Sequence, residues 1–365
     1  MRILFLHSSH SRYIRNLVLS RALHRSHDVV EVTSPASSRL KGNLSIGLRY
    51  LFMDRRAFDL VVIGFPGHLL VPWVRLWARS HGRLPILFDP FVSWYDTFCL
   101  DRRWFRPSSI PGRLTYALDL WSCRWSDRLL ADTYAHRDFF IHTFDLPPAK
   151  IDVAYVGCDE TLFAPRPEQP ASAGDTRTFN VFTYTSFLRL HGVEKMLYAA
   201  KYLEERRDIT FTIAGAGSRL SAMQGLARDL GLRNVRFPGW VPFDQLPARI
   251  AGADLCLGGH FSDVPKAARV ISTKTFQFIA MRKPTIVGDN AATREVFVPG
   301  QHVWAVPMNR PEALAEAIGS LAGDPVLRRR LADGGYDIFK QQFTTEAIAR
   351  KLEPVLEETA CGSAS

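Results

Sequence analysis

At 365 residues with 47% hydrophobic side chains, the chain is long enough for about two domains with cores of their own, which excludes a disordered protein. It carries 46 Lys or Arg against 36 Asp or Glu, a formal charge of +10. Its five cysteines are scattered with no Cys-x-x-Cys pair, a pattern of neither a zinc site nor a disulfide framework.

The first predicted elements are those of a doubly wound α/β domain. Arg2 to Leu6 reads as a strand, His7 to His10 as the turn into a helix ending near His24, and Asp28 to Val32 as the next strand. Residues 1–83 hold 13 Lys or Arg against 4 Asp or Glu, a difference of +9, so the excess charge is local. Such a balance suits an anionic partner, with solvated arginine as the plainer reading. Leu40, Leu44, Leu48, Leu51 and Phe52 fall on one helical face, with Arg39, Lys41, Arg49, Arg55 and Arg56 around it. That helix either lies on an anionic membrane or packs on the sheet with its basic side in water. Asp59 to Phe65 is a continuous apolar strand of the buried parallel kind, and Pro85 to Phe88 is a fourth strand running into Asp89 and Asp96. Pro111 opens a further helix near its first turn, and Arg128 to Ala131 and Ile151 to Tyr155 complete the half.

A Pro/Ala/Ser/Gly-rich stretch follows. The expected organisation is a first domain over 1–165, a linker over 166–178, a second domain over 179–343, a helix over 344–358 that is a candidate to pack back on the first domain, and a disordered tail over 359–365. The second series runs strand Phe179 to Tyr184, helix Gly192 to Glu205, strand Ile209 to Ala214, then Gly215-Ala-Gly217 and a helix to Leu230. Val235 to Phe237 leads to Gly239, a helix covers Asp244 to Ile250, and Asp254 to Leu257 is a strand. The next helix carries Val270, Ile271, Phe276 and Ile279, and holds Lys274 and Gln277 three apart on one face. Glycines between a strand and a helix let a backbone approach a diphosphate, although a tight turn explains them equally. No apolar run suits a signal peptide or a membrane span, so the chain is expected in the cytoplasm, with a membrane surface as a candidate neighbour.

The order of these elements and motifs resembles the family 4 glycosyltransferases, retaining enzymes of the GT-B fold. The resemblance is densest from about 180 to 350: Arg189-Leu-His191-Gly192, Ile213-Ala-Gly215-Ala-Gly217, Val235-Arg-Phe-Pro-Gly239, Lys274-Thr-Phe-Gln277 and Arg294-Glu295. Asp132-Thr133 and Val156-Gly157-Cys158-Asp159 resemble the close of the family's acceptor domain. The resemblance implies two Rossmann-like doubly wound domains facing a central cleft. It implies a nucleotide-sugar donor, a UDP-sugar foremost, on the second domain, and an acceptor (a glycan, a lipid-linked sugar or a small molecule) on the first. Arg189 and Lys274 would clamp the diphosphate, with His191 where many members carry lysine. Gly215, Gly217 and Gly239 would line the nucleotide, and Glu295 the base and ribose region. Gln277 stands where the family has a glutamate that accepts ribose hydroxyls, and Arg269 where it has a partner glutamate. Gln277 is expected to accept one such bond through its amide oxygen. Asp89 and Asp96 are the candidate acceptor contacts, with turn-former and helix-cap as their structural readings. His7, His10 and His68 are weaker candidates. No metal or other cofactor is expected, nor nucleic acid. The alternative is a weak or inactive GT-B domain kept as a partner or scaffold.

Overall fold

The computed structural model describes residues 1–7, 13–34, 39–78, 84–166 and 178–362, with only the backbone at 39, 40 and 78. The chain divides into two compact units, Met1–Gly157 with Phe343–Ser365, and Cys158–Gln342.

The first unit runs β1 (Arg2–His7), α1 (Ile14–Leu23), β2 (Asp28–Thr33), α2 (Arg39–Leu51), β3 (Leu60–Ile63), α3 (Leu70–Ala78), β4 (Ile86–Phe88), α4 (Ile110–Trp125), β5 (Arg128–Ala131), α5 (Tyr134–Phe144) and β6 (Ile151–Val153). The strands are all parallel in the order β2-β1-β3-β4-β5-β6, so the winding direction reverses between β1 and β3. β3 is buried on both faces, which is why Leu-Val-Val-Ile shows no polar alternation. On one face of the sheet, Ile46 and Tyr50 of α2, Val71 and Val74 of α3, and Phe140 and Phe144 of α5 share a core. On the other face α1 meets the closing helix, Thr345–Cys361. Thr344 caps that helix by accepting from the Ala347 N–H, and Ile348, Leu352 and Leu356 bury its inner stripe at i, i+4, i+8.

The second unit runs β7 (Phe179–Thr185), α6 (Val193–Tyr202), β8 (Ile209–Gly215), α7 (Leu220–Asp229), β9 (Val235–Arg236), α8 (Leu246–Ala251), β10 (Leu255–Leu257), α9 (Thr273–Ala280), β11 (Thr285–Asp289), α10 (Ala291–Arg294), β12 (Trp304–Pro307), α11 (Pro311–Gly323) and α12 (Pro325–Gln342). Its parallel order β12-β11-β10-β7-β8-β9 reverses between β7 and β10. Val193, Met196, Leu197 and Ala200 recur at i, i+3, i+4, i+7 and bury α6 against Val181, Phe211 and Ile213.

Three expectations are corrected here. The unit boundary lies at Gly157, not 165: Asp159 Oδ1 accepts from the Thr161 N–H and hydroxyl, and Phe163 packs edge-on against Phe243 of the second unit. Of the expected linker over 166–178, residues 167–177 lie outside the described residues. The closing helix continues to Cys361, through the first residues of the expected tail, and 363–365 lie outside the described residues. Val270 and Ile271 precede their helix instead of lying in it. A 3-10 turn over Pro265–Ala268 comes first, and α9 begins only at Thr273, after Ser272 in an extended conformation.

Candidate active site

In an open parallel sheet the strand order reverses where two loops diverge and leave a crevice at the carboxyl ends. In the second unit those loops follow β7 and β10. They are joined to each other: Ser262 Oγ donates to the Leu190 carbonyl at 2.8 Å, and the Phe261 N–H reaches the His191 carbonyl at 3.5 Å.

The end of β7 is the hub. The Tyr184 carbonyl accepts from Lys274 Nζ at 3.3 Å, and the Tyr184 hydroxyl donates to Gln277 Oε1. Thr185 Oγ1 and His191 Nδ1 share a hydrogen bond of 2.5 Å. Gly215, the last residue of β8, and Gly217 pass so close that a Cβ would stand 1.9 Å from the Thr185 carbonyl oxygen and 2.0 Å from that of Ser186. Both glycines are therefore demanded by the neighbouring backbone, which is the tight-turn reading. Gly239, after β9, accepts from the Gly215 N–H at 2.6 Å. Arg189 opens a 3-10 turn over Arg189–His191 and is exposed, with no side-chain partner among the described residues. Glu295 is the C-cap just after α10, one strand farther along the sheet, and is partly buried.

Lys274 is 3% exposed, and among the described residues no carboxylate pairs with it. Burial alone pulls its ammonium down to about 7. His191 and His260 stack face to face, 5.5 Å between centroids and 5° apart, beside it. A Cβ on Gly259 would lie 3.8 Å from Lys274 Nζ and 3.9 Å from the His191 carbonyl oxygen. Burial, then the charge of Lys274, drives the His260 imidazolium down to about 3, and burial, then Lys274 and His260, pushes His191 well below its ordinary range. The result is two imidazoles held neutral beside a buried lysine that titrates at about 7.

Gln277 departs from its expected role. It is fully buried, its oxygen is taken by Tyr184, and Nε2 has no partner among the described residues. The amide oxygen is not presented to a ligand. Tyr184→Phe is accordingly expected to leave both polar ends of Gln277 buried and unbonded, a cost of about 1–3 kcal/mol. A urea midpoint equal to the parent's would contradict this pairing.

In the first unit Asp89 is sealed inside the protein. Arg15 Nε and Nη2 bind its carboxylate at 2.8 and 3.2 Å, and Arg15 Nη1 bonds the Ala154 and Tyr155 carbonyls at 2.6 and 3.0 Å. Burial raises the Asp89 carboxyl, and Arg15 offsets part of that. Asp89 is thus a corrected expectation: it is a joint between α1, β4 and β6. Asp96 is also buried, in a short π-helical stretch over Asp96–Asp101. It does not cap a helix; its N–H is capped by Ser93 Oγ at 2.9 Å. His7 shares a 2.6 Å hydrogen bond with Glu31, and His68 is buried with Nε2 3.4 Å from Asp119. Asp119 in turn accepts from Ser93 Oγ and the Tyr95 N–H at 2.6 and 2.8 Å. His10 lies outside the described residues.

The structure therefore brings Lys274, Gln277, His191, the Arg189 turn and both loop glycines to one sheet end. Sequence reasoning missed Tyr184, His260 and Arg15. His260 carried the same signal as His7 and His68, a histidine shortly after a predicted strand.

Residues 191–353 match the family described as Glycosyl transferase-like. Alpha-D-kanosaminyltransferase of Streptomyces kanamyceticus is 26% identical over 169 residues, 46% of this chain and 42% of that protein. D-inositol 3-phosphate glycosyltransferase of Corynebacterium kroppenstedtii is 25% identical over 253 residues, 64% of this chain and 53% of that protein. The chain spans about half the length of the curated relatives it matches. Among solved structures, Anabaena Alr3699/HepE in complex with UDP superposes with a TM-score of 0.74 at 16% identity, covering 98% of this chain and 100% of that one. Sucrose-phosphate synthase from Thermosynechococcus elongatus superposes with a TM-score of 0.75 at 14% identity, covering 100% of both chains.

Proposed function

From a chain that has the GT-B fold and is family 4-like in its second unit, we propose a retaining glycosyltransferase that moves a sugar from a UDP-sugar to an acceptor met by the first unit. The observation that carries this reading is Lys274, a buried lysine beside two imidazoles and, among the described residues, without a carboxylate, at the point where the sheet order reverses. A diphosphate would supply the absent negative charge. The neighbouring Alr3699/HepE structures, solved with UDP and with UDP-glucose, support the choice of donor.

In this reading Lys274 and Arg189 stabilise the departing UDP. The bond from C1 of the sugar to the β-phosphate oxygen breaks, and the acceptor oxygen bonds C1 on the same face. The acceptor proton passes to the leaving phosphate oxygen, so positioning and charge stabilisation matter more than a protein nucleophile. The reading calls on no metal ion. It places the protein in the cytoplasm with its basic first unit toward an anionic surface.

A thermal-shift screen of nucleotide sugars tests it. A donor at about 100 times its Kd stabilises the folded state by about 2.7 kcal/mol. A UDP-sugar is expected to raise Tm, and a panel in which no nucleotide sugar does so would overturn the reading. A second reading, a GT-B domain retired from catalysis, is favoured by Gln277, whose oxygen is engaged by Tyr184. A protein that binds UDP but never releases it from a sugar would fit that reading.

Lys274 also sets a pH dependence. Its ammonium titrates at about 7 in the free protein, and a bound diphosphate favours the charged form. Affinity for UDP is therefore expected to fall as pH rises above about 7, with net proton uptake on binding. Calorimetry at pH 8 in two buffers of different ionisation enthalpy should give different apparent heats; equal heats would contradict this. For stability the sign is opposite, because without a ligand burial disfavours the ammonium and the unfolded chain binds the proton more tightly. A depressed lysine contributes full stability above its unfolded pKa of about 10.5, and loses it as pH falls toward 7.

A further inference from the structure

Three adjacent helices of the first unit, α2, α3 and α4, cover one face of its sheet and bury Ile46, Val74 and Cys123 in one core. Their outer sides are apolar as well. Leu44 and Leu48 of α2 and Phe52, just past its end, follow one another at four-residue steps, and Phe52 is 89% exposed. On α3, Trp73 and Trp77 stand one turn apart and stack at 6.4 Å, both more than a third exposed. On α4, Trp121 is 54% exposed and stacks flat on Trp125 at 6.0 Å.

The three helices form one surface. Gly47 of α2 lies against the Trp73 ring, near enough that a Cβ there would be in ordinary contact with it at 3.7 Å. Arg55 donates to the Trp77 and Leu51 carbonyls and ties the ends of α3 and α2. Arg75 donates to the Trp125 carbonyl at 2.6 Å and ties α3 to α4. A helix on a water-facing surface normally turns polar residues outward.

The exposed charges within the three helices have one sign, with the acidic neighbours Asp54, just past the end of α2, and Asp127, paired with Arg75 of α3, beyond them. Lys41, Arg49, Arg113 and Arg124 are exposed, and the one acidic residue within the three helices, Asp119, is buried against Ser93, Trp94 and Tyr95. A second copy of the chain would press this positive face against itself, at a cost in like-charge repulsion. Exposed tryptophans and a basic rim fit the boundary between lipid headgroups and acyl chains. Among the described residues no helix is long and apolar enough to cross a membrane.

We propose that the α2–α3–α4 face is a docking surface for a bilayer bearing anionic phospholipids, with Phe52, Leu48 and Trp77 entering the headgroup layer and the basic residues on phosphate. This deepens the surface-facing part of the function proposed above and does not depend on the transfer chemistry.

Cosedimentation with phosphatidylcholine vesicles and with equimolar phosphatidylcholine–phosphatidylglycerol vesicles tests it. The full chain is expected to bind the mixed vesicles and to bind the neutral ones far less, with binding weakened by salt. The triple variant Leu48→Ser/Phe52→Ser/Trp77→Ser should lose about tenfold or more in vesicle partition. Its UDP titration and melting temperature serve as folding controls. Should the triple variant fold poorly, Lys41→Glu/Arg113→Glu, at two exposed positions, is expected to lose binding to the mixed vesicles in the same way. No binding at low salt, or binding unchanged in folded variants, overturns the proposal. So does a dimer seen by light scattering that these substitutions dissolve while vesicles are ignored. Failure of the UDP titration with vesicle binding intact would instead strike the transferase reading.

Discussion

Arg15→Ala is expected to destabilise the first unit by about 3–5 kcal/mol, because it strands a buried carboxylate. Asp89 is 0% exposed and Arg15 1%, and the guanidinium also satisfies two main-chain carbonyls after β6. Truncation would leave Asp89 to take up a proton and both carbonyls to lose a donor. Arg15→Lys should recover only part of the loss, since an ammonium cannot match the two-pronged contact to the carboxylate while reaching both carbonyls. Denaturant unfolding of the full chain measures both variants. A midpoint unchanged in Arg15→Ala would show that the pair contributes little.

Lys274→Ala and Arg189→Ala are each expected to remove about 2–4 kcal/mol of transition-state stabilisation, a loss of about 30- to 1000-fold in kcat/KM. The two differ in how that loss divides. Lys274 sits among His191 and His260 with one weak bond, to the Tyr184 carbonyl at 3.3 Å. Removing it takes away the buried positive charge in both the bound and the reacting state, so KM should rise as kcat falls. Arg189 is exposed, and its charge is screened until a ligand covers it. Its loss should fall more on kcat. Wild-type-like kcat/KM in both variants, with a donor the parent turns over, would remove these residues from the chemistry.

The fold was largely legible because parallel strands buried on both faces announce themselves. Leu60–Ile63 and Ile286–Val287 are short, rich in β-branched residues and flanked by turn residues, which favours strand over a buried helix. The break before Thr273 was not, because Val270 and Ile271 sit at helical spacing from Phe276 yet are buried outside the helix. At the site, Lys274 could be read from its place after a predicted strand. What decides the behaviour of Gln277 is Tyr184, 93 residues earlier, and what decides that of Asp89 is Arg15, 74 residues earlier. Local spacing holds no information about such partners. The apolar stripe of α2 was legible as a stripe, but only the packed structure shows Leu44, Leu48 and Phe52 turned outward while Ile46 and Tyr50 fill the core.

The central claim is that the second unit holds a nucleoside diphosphate on Lys274 at the junction of β7 and β10. Calorimetric titration of UDP into the parent and into Lys274→Ala at pH 6.5 tests it most directly. The account predicts one saturable site per chain in the parent, and an affinity lower by at least about tenfold in the variant, with its melting temperature retained. Equal affinities in the two proteins, or no binding by the parent, would contradict it.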